Sequence, residues 1–186
     1  MKTIKMKAAT IIGLLVMLIL SVNAGAQEKL TRQEKKDARK TQLAYNFHII
    51  DSLLMTKKFV LEADWLRDKY GNQVNVPSGI NFVRVDGENG VLQTGTNSGI
   101  GYNGVGGETA EGNVDNWKLS KNFKNMNLTV EFHLLSNIGN FQIFMTVNAE
   151  NVANATISGN GPGKLTWSGH LNTLNNSTVF KGQATY

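Results

Sequence analysis

Leu128-Thr129-Val130-Glu131-Phe132-His133-Leu134-Leu135 runs through Ser136-Asn137-Ile138-Gly139-Asn140 into Phe141-Gln142-Ile143-Phe144-Met145-Thr146-Val147-Asn148. Leu128, Val130, Phe132 and Leu134 alternate with Thr129, Glu131 and His133, while Phe141, Ile143, Met145 and Val147 alternate with Gln142, Thr146 and Asn148. Because successive side chains of a strand point to opposite faces, a period of two gives each segment one oily and one watered side. Asn137, Gly139 and Asn140 supply turn chemistry between the two segments. The stretch therefore predicts an antiparallel hairpin with one face toward a core.

Fainter copies lie on both sides. Lys58 to Asp64 places Phe59, Leu61 and Ala63 on one side, and Asn81 to Asp86 faces Val91 to Thr94 across Asp86-Gly87-Glu88-Asn89-Gly90. Val114 to Leu119, Val152 to Ser158 and Lys164 to Leu171 complete the set. Residues 71–186 hold 17 of the 19 glycines and 20 of the 22 asparagines, the two residue types that best tolerate left-handed turns. Strands spaced by about ten residues, with no helical period between them, favour hairpins over strand-helix-strand crossovers. Eight or nine strands are expected. Closing such a sheet removes its adhesive edges, so the predicted fold is all-β with one N-terminal helix: an antiparallel eight- or nine-stranded lipocalin-like barrel, with a β-sandwich as the alternative.

The helix precedes these strands. Glu28 to Lys58 contains neither Gly nor Pro, and Leu43, Phe47, Ile50 and Leu54 recur at helical spacing, which gathers them into one stripe able to dock on a core. Residues 27–42 are charged all round and predict a solvated helical extension. Before them, Lys2, Lys5 and Lys7 precede an apolar run from Ala8 to Leu20 and an Ala24-Gly25-Ala26 ending. That order has the form of a secretory signal peptide over residues 1–26, cleaved between Ala26 and Gln27, because the apolar run is shorter than the ~20 residues that a membrane-crossing helix requires. The expected organisation is then a leader (1–26), a charged extension (27–42), one barrel-like domain with its docked helix (43–175) and a C-terminal strand or tail (176–186). No transmembrane helix is expected in the mature chain, and the expected location is periplasmic or secreted. With no cysteine, the chain has neither a disulfide framework nor the sulfur for a lipoprotein anchor or a thiolate site.

The sequence pI of about 9.4 suggests a basic protein, but the charge is local. Without the three leader lysines, sixteen basic residues face fourteen acidic ones, and residues 27–58 hold eight of those bases against four acids. The remainder carries a slight negative excess. Nucleic-acid binding needs a cluster of cations on a formed surface, so no nucleic-acid partner is expected.

Three motifs fail on context. Gly99-Ile100-Gly101-Tyr102-Asn103-Gly104 spells the dinucleotide string, but Val105-Gly106-Gly107-Glu108 follows it rather than the helix whose N-terminus would face a pyrophosphate. Gly161-Pro162-Gly163-Lys164 lacks a hydroxyl residue directly after the lysine, since Leu165 stands there. Gly95-Thr96-Asn97-Ser98-Gly99 misses the serine nucleophile elbow by one position. The carboxylate pairs Glu62/Asp64, Asp86/Glu88 and Glu108/Glu111 read as surface charges. His48, His133 and His170 show no metal-binding spacing. With no set of nucleophile, base and orienter, the chain is not read as an enzyme and no cofactor or metal is expected. Trp65, Trp117 and Trp167 read as core stock, with cavity lining as the lesser role.

The Gly-rich stretch from Gly95 to Gly112 remains. A loop of that length is uncommon unless it does something, so it is the candidate lip over a binding cavity, with Tyr102, Glu108 and Glu111 as the side chains able to touch a ligand.

The order of Lys58-Phe59-Val60-Leu61-Glu62-Ala63-Asp64, Asn81-Phe82-Val83-Arg84-Val85-Asp86, Gly104-Val105-Gly106-Gly107 and Leu165-Thr166-Trp167-Ser168-Gly169 resembles the exported Bacteroidetes family of domain of unknown function 4251. The resemblance runs over roughly residues 28–171. It implies a small exported domain similar to lipocalin-like barrels, and it brings no activity or catalytic set. Two functions are thus expected: a module binding a small apolar or amphiphilic ligand under the Gly-rich lip, or a structural or interaction protein of the cell envelope with a filled core and an envelope protein as partner.

Overall fold

The computed structural model describes residues 31–95, 107–159 and 164–182. Its elements are helix α1 (Arg32–Thr56) and strands β1 (Lys58–Arg67), β2 (Gln73–Asn75), β3 (Phe82–Asp86), β4 (Asn89–Thr94), β5 (Glu108–Asn122), β6 (Asn127–Ser136), β7 (Gly139–Asn148), β8 (Ala153–Ser158) and β9 (Lys164–Asn172). The leader and its Ala26/Gln27 junction lie outside the described residues.

β6 and β7 form the hairpin expected from their alternation, with Val130 opposite Met145 and Phe132 opposite Ile143. From β3 to β9 each strand pairs antiparallel with the next, and β1 joins β3 on one side and β9 on the other. The result is a closed barrel of eight strands in up-and-down order, with the short β2 added to the far end of β1. A sandwich is excluded by the β1–β9 seam, which runs from Val60 opposite Asn172 to Arg67 opposite Thr166. Sequence alternation did not reveal β2, because three residues are too few to show a period.

Bulges set which side chains enter the barrel. The β5–β6 register shifts between Asp115 and Lys118, and Asn116 takes a positive φ of 55° there. An extra residue reverses the parity of everything after it. Ala110 and Val114 therefore point inward before the bulge, whereas Trp117, Leu119 and Lys121 do so after it. The reversal falls inside Val114 to Leu119, the part of the strand expected from the sequence, and it breaks the single alternation that would have revealed all fifteen residues. A second shift, between Ala63 and Trp65, leaves Trp65 43% exposed on the outer surface, so it is not the core residue the sequence suggested.

Inside, Phe59, Phe132, Ile143, Met145 and Trp167 are each at most 1% exposed, and they fill the barrel with Leu61, Leu128, Val130 and Leu134. α1 stoppers one end. Its residues 31–42 are all exposed, while Phe47, Ile50 and Leu54 are buried and Leu43 partly so, the stripe predicted from spacing. The Phe47 ring meets Phe123 edge-on at 5.7 Å, and Asp51 pairs with Lys121 at 2.7 Å. Among the described residues, no helix is long and apolar enough to cross a membrane.

After β9 the chain forms an irregular strap, Thr173 to Gly182, across the outer face of β1, β3 and β4. Leu174 and Val179 cover Val60, Phe82 and Val91, three outward-facing apolar residues. Gln93 binds both sides of the strap, donating to the Phe180 carbonyl at 2.9 Å and accepting from the Gly182 amide at 2.7 Å. Lys181 pairs with Glu111 at 2.8 Å. Truncation after Asn172 would uncover the three apolar residues and remove the bonds of Gln93 to Phe180 and Gly182, leaving it the Ile80 carbonyl and the Thr109 hydroxyl. The loss of two aliphatic contacts and these hydrogen bonds should cost about 2 kcal/mol. Urea denaturation measures it, and sedimentation of the truncated chain should show self-association through the bared patch.

Candidate functional site

The strand ends opposite α1 enclose the void on which the candidate site rests. Leu92, Ala110, Ile138, Phe141, Ile157 and Leu165 give it apolar walls, and Thr94, Glu108 and Trp167 also line it. Its free volume is about 10 Å³. That is room for about one water molecule, and among the described residues the core side chains named above fill the interior between this void and α1.

Two polar atoms in this lining lack partners. Trp167 is 1% exposed and Thr94 is 4% exposed, yet the indole Nε1 and the hydroxyl Oγ1 are both buried with no hydrogen-bond partner. An unpartnered buried polar group costs about 1–3 kcal/mol. Two of them at one apolar void point to a site whose function opposes stability. Thr94→Val removes the orphaned hydroxyl at nearly constant shape, and it should stabilise the protein by about 1 kcal/mol in urea denaturation. A loss of stability would show that the hydroxyl is satisfied in solution.

Of the three residues expected on a common lip, the structure describes two, and these are not together. Tyr102 lies outside the described residues. Glu108 and Glu111, expected in a loop, belong to β5, which pairs with β4 from Thr94 opposite Glu108 to Asn89 opposite Asn113. They point to opposite faces. Glu108 lines the void beside Thr94, whereas Glu111 sits outside and is bound by Lys181 of the strap. The loop was overextended because Gly112 was taken for a turn residue. It lies in a strand, where a Cβ would overlap the Leu135 carbonyl oxygen.

A second cluster was hidden in the sequence because its members are about 110 residues apart. Glu62, 7% exposed, accepts from Ser177 Oγ at 2.7 Å and from Asn172 Nδ2 at 3.0 Å. Facing it across the seam, His170 lies with Nε2 3.5 Å from Glu62 and Nδ1 3.3 Å from Asp64. The carboxylates meet opposite sides of the ring, so the three do not converge on a metal position. Among the described residues, no group of three or more His, Asp or Glu side chains is arranged to hold a metal ion. The cluster ties the strap to the seam.

A closed, antiparallel eight-stranded barrel, stoppered by a helix at one end and carrying a small polar-flecked void at the other, is the class these features define. The family model described as Domain of unknown function (DUF4251) matches residues 41–171, and the chain belongs to that family. It is similar to the crystal structure of a DUF4251 family protein from Bacteroides eggerthii DSM 20697, with 34% identity, a TM-score of 0.64, and coverage of 77% of this chain and 99% of that one. No curated protein matches the chain.

Proposed function

We propose that the protein is an exported, non-catalytic module that binds a small ligand at the open end of its barrel. The observation that carries this reading is the pair of unpartnered buried atoms, Trp167 Nε1 and Thr94 Oγ1, on one apolar void. Pockets that bind small molecules combine apolar walls with a few placed polar groups, and this void has that composition. The leader-like residues 1–26 support export to a periplasmic or secreted location, away from cytosolic nucleotide pools. The filled interior limits the reading, because a ligand inserts one end rather than disappearing into the barrel.

Native mass spectrometry of protein purified from the compartment to which it is exported tests this. A bound mass lost in Trp167→Phe is expected, and a uniformly ligand-free mass would count against the proposal. The second reading, an interaction protein of the cell envelope, draws support from the same filled interior and from the exposed residues 31–42. Deleting residues 27–42 should abolish recovery of an envelope protein in a pull-down if that reading holds.

A further inference from the structure

From the chemistry of the void we infer the class of ligand, an inference that rests on the binding role proposed above: an amphiphile that inserts one uncharged hydroxyl. The indole N–H of Trp167 is a donor only, so the inserted group must accept a hydrogen bond. An ammonium head cannot do so. The Thr94 hydroxyl both donates and accepts, so it can accept a hydrogen bond from the same group. A hydroxyl carries both the acceptor that the indole calls for and a donor for Thr94.

Charge excludes the anionic alternative. Among the described residues the lining of the void includes no Lys, Arg or His, and its ionisable side chain is Glu108. A carboxylate head would enter beside a like charge, among apolar walls and with no cation to offset its lost hydration. Size sets the last limit. A volume of about 10 Å³ admits a hydroxyl-sized group but no phosphate or sugar ring. The remaining walls are all carbon, from Leu92, Ala110, Ile138, Phe141, Ile157 and Leu165, so the atoms attached to that oxygen belong to an apolar chain.

The test is a titration of the full mature protein with 1-octanol, octanoate and octylammonium, followed by the indole N–H resonance of Trp167 in proton–nitrogen correlation spectra. Trp167→Phe assigns that resonance, and Trp65 and Trp117 serve as internal controls. Octanol should move it saturably, at concentrations at least about tenfold below those needed with either charged probe, and Thr94→Val should weaken the octanol response by about two- to tenfold. Equal or better binding by octanoate or octylammonium overturns the ligand class and leaves the binding role standing. If no probe moves the Trp167 resonance, the void holds nothing beyond a trapped water, and both the class and the role fall. An unchanged octanol affinity in Thr94→Val contradicts the two-point capture.

Discussion

Gly169→Ala should lower the stability of the protein by about 3 kcal/mol or more, at the upper end of what one added methyl group costs. Gly169 sits on β9 opposite Ala63 of β1, beside the bulge that ends the regular part of the seam. A Cβ built on it would overlap the carbonyl oxygen of Glu62, with the Glu62 carbonyl carbon at 2.8 Å and the Ala63 Cα at 2.9 Å. These are backbone atoms and cannot move aside by changing rotamer. Relief requires the two strands to part, and the strands concerned are those that close the barrel. Glycine in a strand often marks a close approach of this kind. The expected phenotype is more than a lower urea midpoint. Amide protection should be lost first along Val60–Ala63 and Gly169–Asn172, while the β6–β7 hairpin keeps its own. Gly87→Ala is the control, since a Cβ there meets nothing within 4 Å, although its φ of 68° carries its own smaller penalty. Equal protection loss in both hairpin and seam would mean that closure and barrel fold as one inseparable unit.

Leu54→Ala should cost about 3 kcal/mol, within the usual range for a fully buried leucine whose surroundings do not collapse. Leu54 is 0% exposed and lies in the main core cluster, at the point where α1 meets the barrel. It belongs to the last turns of the helix, only four residues before β1 begins, so the chain on either side is held by β1 and by the Phe47 and Ile50 contacts. That restraint keeps the cavity from closing. Ile49→Ala, on the opposite side of the helix at 43% exposure, should change stability by no more than about 0.5 kcal/mol. The contrast between two neighbouring aliphatic residues separates docking from helix propensity, because both substitutions introduce the same alanine. Thermal unfolding of the two variants under identical conditions provides the measurement.

What was legible in the sequence was whatever obeys a short period. The Leu43, Phe47, Ile50 and Leu54 stripe, and the alternation of β6, β7 and β9, are each local patterns enforced by one buried face. Where a bulge intervenes, the signal fails for a physical reason. β5 changes parity at Asn116, so its fifteen residues show two half-patterns that cancel, and Trp65 was assigned to the core because the shift after Ala63 was invisible. Glycine was ambiguous in the same way. Gly112 resembles a turn residue by composition, yet it lies in a strand against a neighbouring strand's backbone, whereas Gly169 falls within the strand Lys164 to Leu171 expected from the sequence.

The candidate site was the least legible feature. Thr94 and Trp167 are far apart in the chain, and each is an ordinary strand residue; only barrel closure brings them to one void. Of the two expected lip residues that the structure describes, Glu108 reaches it and Glu111 does not. The strap offered no signal either, since its apolar residues Leu174 and Val179 are too far apart to show a short period and bury against the outside of the sheet rather than the inside.

Every functional statement here depends on β1 meeting β9, because that seam brings Trp167 across from Thr94 and leaves a single filled interior. Nuclear Overhauser contacts between Hα protons of Val60–Ala63 and those of Gly169–Asn172 test it directly. Cross-strand contacts in the register that places Leu61 opposite Leu171 are the predicted result. Their absence from a spectrum that still shows the Phe132–Ile143 pair would mean an open sheet, with no mouth for a ligand to enter.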